Sequence, residues 1–253
     1  MAGRPWVLAE SPWKNVQANR YEVAVLPWGA TEAHNYHLPY GTDNVETERI
    51  AIEAAGIAWE RGAMTTVLPA IPFGVNAQQL DIPLTVNMNP STQFVVLSDV
   101  VASLEPHVGK LLILNGHGGN DFRQMIRELQ PNTDLFLCTA NWYTAVPTAD
   151  YFLEAGDHAG EMETSLVLHL APDLVLPLAE AGPGDAKRFR IAGLRQGWAW
   201  APRHWTEVTQ DTGVGDPRAA SAAKGETYFR AVTSKLADFL VQLDAASLED
   251  LYA

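Results

Sequence analysis

The chain predicts an α/β fold: one three-layer α/β/α sandwich built on a mainly parallel sheet. Three observations carry that expectation. Short apolar runs suited to buried strands recur at 22–27, 63–69, 110–114 and 134–139. Stretches of helical periodicity fill the intervals between them, which is the pattern of right-handed βαβ units. At 253 residues, 47% hydrophobic and 19% charged, the chain can bury a core of ordinary size, so residues 1–253 are read as a single domain.

The first strand, EVAVLP at 22–27, runs straight into LPWGATEAHNYHLPYGTD at 26–43. That stretch packs Glu32, His34, His37 and Asp43 among Pro27, Gly29, Pro39 and Gly41, so neither a regular helix nor a strand absorbs it. A helix over 44–61 follows, with Ile50, Ala51, Ala54, Ala55 and Ala58 on its apolar stripe and Gly62 as its stop. After the second strand, the broken polar loop 71–90 has the character of a substrate wall. Ser91 or Thr92 caps a helix over 93–107, whose Phe94, Leu97, Val100, Val101 and Leu104 share a face. The strand KLLIL at 110–114 leads directly into Asn115-Gly116-His117-Gly118-Gly119-Asn120, then a helix over 121–129 and the fourth strand. HAGEMETSLVLHL at 158–170 has helical spacing that sets His158, Glu161 and Ser165 on one face and Met162, Leu166 and Leu170 on another. The segment 177–215 is irregular, and a long helix over 216–243, with an irregularity at Gly225, closes the domain.

Loops leaving the carboxyl ends of parallel strands open on one edge of the sheet, so 26–43, 71–90, 115–120 and 140–157 converge there. This brings Glu32, His34, Asp43, His117 and Glu163 together as candidate metal ligands. Three His/carboxylate ligands make a site for one ion; five, with one carboxylate able to bridge, make a two-metal site about 3.5–4 Å across. Period-two alternation places residues 32 and 34 on one face of an extended segment, so both can reach inward. The turn GHGGN lacks the Gly-x-Gly-x-x-Gly pattern, and no lysine follows to complete a phosphate-binding loop; its central histidine points to metal instead. Taken singly, His107, His169 and His204 read as a helix end, a helix face and a loop. Phe73, Trp142, Trp198, Trp200 and Trp205 read as packing or interface residues.

The charge balance excludes other classes. With 17 basic against 30 acidic residues, the net charge of −13 repels nucleic acid and anionic membranes, and neither is expected as a partner. A lone cysteine, Cys138, excludes an internal disulfide and a thiolate metal cage; it packs as a small apolar residue at a strand end. The N-terminus has no apolar run of signal-peptide length, and no stretch approaches eighteen uninterrupted apolar residues, so the expected location is cytoplasmic.

LPWGATEAHNYHLPYGTD, ILNGHGGN and HAGEMETS, in that order and spacing, resemble the three signature segments of the creatininase (creatinine amidohydrolase) family. The likeness runs through residues 20–175 and fades in the last third. It implies a metal-dependent amidohydrolase of a small cyclic or linear amide, with two divalent ions, zinc first and manganese or iron as alternatives, in an α/β/α subunit that commonly forms a homo-oligomer, a hexamer. Carried over by motif, Glu32, Asp43 and His117 hold one ion, and His34, Asp43 and Glu163 the other, with Asp43 bridging. His158 sits beside the scissile bond, and His158 with Glu161 is the candidate proton shuttle. His37 is left without an ion and falls among the groups that orient ligands. One branch of the family trims a peptide, and others hydrolyse formamides. Where the creatinine-hydrolysing members carry a tyrosine and a glutamate after the middle histidine, this chain has Gly118 and Gly119. Glu161 is the residue that replaces the missing carboxylate. Trp142 matches one of two tryptophans that close over creatinine; the other falls near Glu154. These departures argue against creatinine itself as substrate.

Overall fold

A computed structural model describes residues 3–252. A short helix α1 (Trp13–Ala18), not anticipated from the sequence, precedes strand β1 (Val23–Trp28) and helix α2 (Thr42–Glu60). Strand β2 (Thr65–Val67), helix α3 (Pro90–Leu104) and strand β3 (Lys110–Asn115) come next, then helix α4 (Arg123–Leu129), strand β4 (Phe136–Asn141) and helix α5 (Glu161–Leu170). Two short helices, α6 (Ala192–Gln196) and α7 (Trp205–Val208), interrupt the 177–215 segment before helix α8 (Ala222–Ala245).

The sheet is parallel throughout, in the order β2-β1-β3-β4. Alternate residues of each strand serve opposite layers. Val23, Val25, Val67, Leu112 and Leu114 pack with the apolar side chains of α2, α5 and α8. Ala24, Leu26, Trp28, Leu111, Ile113 and Leu137 pack with those of α3 and α4. Both sheet faces are therefore covered, which is why β1 and β3 are apolar at nearly every position and buried along their whole length. From β1 the chain steps one way to β2 and then back across to β3. Right-handed crossovers consequently put α2 on one face and α3 on the other, and the direction reverses between β1 and β3.

Several element boundaries differ from the sequence expectation for identifiable reasons. Helix α2 starts at Thr42 rather than after Asp43, with the Thr42 hydroxyl donating to the Pro39 carbonyl at 2.8 Å. Asp43 thus sits in the first helical turn, where the helix dipole favours a negative charge. Helix α3 starts at Pro90, so Ser91 and Thr92 lie inside it and Asn89 is at the cap position without a side-chain bond. His158 does not belong to α5. Ala159 adopts a left-handed φ of 51°, which no helix interior accepts, and the helix begins at Glu161. Cys138 is half-buried within β4, where burial raises its thiol to about 12.

Gly225 is not a break in α8. A Cβ there would lie 1.9 Å from the Ser165 carbonyl oxygen, so the glycine lets α8 cross close against α5. Helix propensity alone would favour alanine by about 1 kcal/mol, but a contact this short against main chain falls in the upper part of the overpacking range, about 2–3 kcal/mol. Gly225→Ala is expected to lower the melting temperature by about 2–8 °C, for a net loss of about 1–2 kcal/mol. An unchanged melting temperature would show that the two helices separate freely.

Candidate metal centre

The site lies at the carboxyl edge of the sheet, where β1 and β3 run side by side and the strand order reverses. The loop after β1 supplies Glu32 and His34, the first turn of α2 supplies Asp43, the loop after β3 supplies His117, and α5 supplies Glu163. Their donor atoms form two overlapping groups, Glu32 with Asp43 and His117, and His34 with Asp43 and Glu163, in each of which all atoms lie within 4.8 Å of one another. Glu32, His34 and His158 form a third. Glu163 is partly buried and the others are buried.

Each imidazole is aimed by main chain. His34 donates from Nδ1 to the Glu32 carbonyl at 3.2 Å, which turns its Nε2 to the Asp43 carboxylate at 3.0 Å. His117 donates from Nε2 to the Val75 carbonyl at 3.0 Å, which turns its Nδ1 to Glu32 at 2.9 Å and Asp43 at 3.0 Å. His158 donates from Nε2 to the Ala33 carbonyl at 2.8 Å, leaving Nδ1 3.9 Å from the Glu32 carboxylate. A carbonyl only accepts, so in the neutral rings the inward nitrogen carries the lone pair. Histidines bound outward to an acceptor and inward to carboxylates are the arrangement of metal ligands with their supporting groups. An all-oxygen-and-imidazole donor set suits zinc, manganese or iron. The residues present fit divalent cations.

The supporting loops explain the glycines. Asn115, Asn120 and Gln93 form a hydrogen-bonded knot: Asn120 donates to the Asn115 side chain at 3.0 Å and accepts from Gln93 at 2.8 Å and from the Val75 N–H at 3.0 Å. A Cβ on Gly119 would lie 2.3 Å from the Val75 carbonyl oxygen and 2.5 Å from His117 Nε2. Any side chain at 119 would break the bond that aims His117. Gln79, from the loop after β2, donates to the remaining oxygen of Glu32, and the Ala159 N–H donates to Glu163.

Packing this many carboxylates together makes protons compete for the same positions. Burial disfavours charge on Asp43 and Glu32, yet the imidazoles beside them win: His34 and His117 hold Asp43 well below the usual range, and His117 and His158 hold Glu32 below it. Burial likewise opposes charge on His34, but Asp43, with Glu163 and Glu32 beyond, raises it to about 10; His117 is raised well above its ordinary value by Glu32 and Asp43. Burial lifts the Glu163 carboxyl, against the lowering pull of His34 and His158. Protonated His34 therefore stabilises the metal-free fold fully below pH about 6.5, and that contribution is lost as pH rises through about 10. The melting temperature of metal-free protein should fall between pH 7 and 10, and His34→Gln should flatten the fall. A flat wild-type profile over that window would contradict it.

Two expected participants stand elsewhere. Glu161 is not brought to the cluster: one carboxylate oxygen takes the Lys224 ammonium and the other accepts from the Glu154 N–H at 2.9 Å. Both oxygens are engaged, and the Glu161–Lys224 ion pair ties α5 to α8. Trp142 is 1% exposed, packs in the core beside α2 and donates to the Thr47 hydroxyl at 3.1 Å. His37 bonds Thr164 at 2.9 Å, beside Glu163 in sequence; burial first, then His34, lowers it to about 4 and keeps it neutral.

One residue was missed. Glu46, one turn after Asp43 on α2, is fully buried, and neither carboxylate oxygen has a hydrogen-bond partner among the described residues. Burial, then Glu163 and Asp43, hold its carboxyl well above the ordinary value. The i,i+3 spacing from Asp43 was the available signal.

Fold and site together define an α/β/α protein with a buried carboxylate–imidazole centre, suited to divalent cations, at the reversal point of its sheet. Comparison with known proteins gives the particular family. The sequence profile of creatininase (creatinine amidohydrolase) matches residues 9–240, and the chain belongs to the creatininase family, whose members are hydrolases. A mycofactocin precursor peptide peptidase of Mycolicibacterium smegmatis is 30% identical over 233 residues, covering 85% of this chain and 83% of the relative. A Bacteroides fragilis protein provisionally named a creatinine amidohydrolase has a crystal structure with a TM-score of 0.92 and 44% identity over 98% of both chains. A mutant creatininase of Zn-Zn type shares the fold, with a TM-score of 0.79 and 23% identity over 96% of this chain and all of that one. Among the described residues, no single helix is long and apolar enough to cross a membrane.

Proposed function

We propose that the protein is a metal-dependent hydrolase of an amide C–N bond, using two divalent cations: one held by Glu32, Asp43 and His117, the other by His34, Asp43 and Glu163. The observation that carries this reading is that the two donor groups share Asp43 while main-chain carbonyls aim the free nitrogen of each histidine inward. Cations bound there would supply acidification of water and polarisation of a carbonyl oxygen.

The chain's own residues do the rest. His158, with its Nε2 proton committed to the Ala33 carbonyl, keeps Nδ1 free to take a proton and hand it to the departing nitrogen. The Glu32 carboxylate faces that nitrogen at 3.9 Å. Trp205, edge-on to His158 with ring centroids 5.3 Å apart, excludes water from one side. With Glu161 engaged by Lys224, His158 acts as the shuttle alone.

A peptide bond is the second substrate reading, and a specific observation favours it: the M. smegmatis relative, matched along most of both chains, is named a precursor peptide peptidase. The opening beside Gly118, where a Cβ would meet nothing within 4 Å, leaves room for an extended chain. Loading the protein with Zn, Mn or Fe(II), counting ions by elemental analysis and screening linear amides, cyclic amides, formamides and short peptides tests the whole reading. Two ions per chain with hydrolysis of one substrate class is the expected result; two ions with no hydrolysis anywhere would make it a metal-binding protein without turnover. Homo-oligomeric assembly belongs to the same reading and is checked by light scattering.

A further inference from the structure

The 177–215 excursion carries a charge pattern for which amide hydrolysis as such has no use. Residues 186–206 hold Lys187, Arg188, Arg190, Arg195 and Arg203 and not one carboxylate, within a chain of net charge −13. The last part of this basic stretch forms the rim of the metal centre. Trp205 is buried in a small cluster with Ala33, Ile82 and Val214, and Ala33 is the residue between Glu32 and His34. The Thr206 hydroxyl donates to Asp81 in the loop after β2, and His158 pairs through its backbone with Val214.

A ladder of flat groups runs outward from the cluster. The His34 and His158 rings are 4.1 Å apart, His158 and Trp205 are 5.3 Å apart at right angles, and the Arg203 guanidinium lies 4.5 Å over the Trp205 ring. Arg203 is therefore the outer end of a stack whose inner end is a candidate metal ligand. Its Nη1 lies 2.5 Å from the Asp157 carboxylate, and both side chains are substantially exposed, at 37% and 58%. Exposed ion pairs of this kind are weak and exchange partners readily. Nε and Nη2 of Arg203 have no partner among the described residues. The indole gives the guanidinium a flat apolar support on one side, and the guanidinium fork matches the two oxygens of a carboxylate.

We infer that Arg203, on its Trp205 platform, is an anion-binding subsite, and that the substrate is an amide that also bears a carboxylate. The carboxylate pairs with Arg203 while the amide reaches inward past Trp205 toward His158. Asp157 holds the guanidinium in place until substrate displaces it. This inference rests on the hydrolase reading of the metal centre, but its test does not require turnover.

Zinc-loaded protein is titrated calorimetrically with N-acetylalanine and with its neutral counterpart N-acetylalaninamide. Wild type is expected to bind the carboxylate at least about tenfold more tightly, the size of a charge-assisted hydrogen bond. Arg203→Gln should bring the ratio to about one while leaving the affinity for the amide unchanged, and Arg203→Lys should restore part of it. Asp157→Asn should strengthen binding of the carboxylate alone, because it removes the competing anion. A wild-type ratio near one, or no measurable binding of either compound, overturns the subsite. So does a ratio that survives Arg203→Gln, which would place the carboxylate on zinc, or equal weakening of both compounds by Asp157→Asn, which would make the ion pair structural. If the loaded protein hydrolyses no amide while the Arg203-dependent ratio holds, the hydrolase reading fails and the subsite stands.

Discussion

Asp43→Ala protein is expected to retain no tightly held divalent cation and to hydrolyse no amide. Asp43 contributes to both three-residue half-sites, with one oxygen beside His34 and the other beside His117. Loss of a supporting partner outside the ligand set already costs about 10–100-fold in metal affinity, so loss of a ligand shared by two ions should cost more than about 100-fold. Elemental analysis after dialysis decides it. Two ions per chain persisting in the variant would remove Asp43 from its bridging role. The variant also leaves His34 and His117 buried beside fewer carboxylates, so its metal-free form should charge those rings less readily than wild type.

His158→Ala is the complementary case, with metal retained and turnover lost by about 100- to 10,000-fold, the usual contribution of a positioned acid–base group. The geometry makes this a sharp test, because His158 also belongs to a donor group with Glu32 and His34. A variant that loses an ion would make His158 a ligand. A variant that keeps both ions but loses turnover would make it the proton carrier.

The layered architecture was legible because β1 and β3 are apolar at nearly every position, which only a sheet covered on both faces requires. The convergence of residues from 32 to 163 was legible because parallel strands send their following loops to one edge. What escaped was local. His158 reads as helical from its spacing to Glu161 and Ser165, but spacing carries no information about the left-handed φ at Ala159 that cuts the helix short. Spacing alone does not show which of Glu161 and Glu163 has its carboxylate engaged by a neighbouring helix. Only the position of Lys224 on α8 separates the engaged carboxylate from the one facing His34. Glu46 was passed over because a carboxylate on a helix is ordinarily solvated, and its burial follows from the packing of α2 against α5 and α8. The glycine at 225 looked like an interruption because the close crossing it permits involves a residue sixty positions away.

The main-chain acceptors behind the three histidines bear on how this site responds to mutation. The groups that hold the rings are the carbonyls of Glu32, Ala33 and Val75, and a peptide carbonyl persists whatever side chain its residue carries. No codon change at Ala33 or Val75 deletes the acceptor. Inherited variation can then alter the walls around the centre, and with them the compound accepted, while the imidazoles keep their aim. The positions left intolerant are the donor side chains, Gly119 where a side chain would collide with His117, and the few residues that bend the backbone, Asn35 and Ala159 among them.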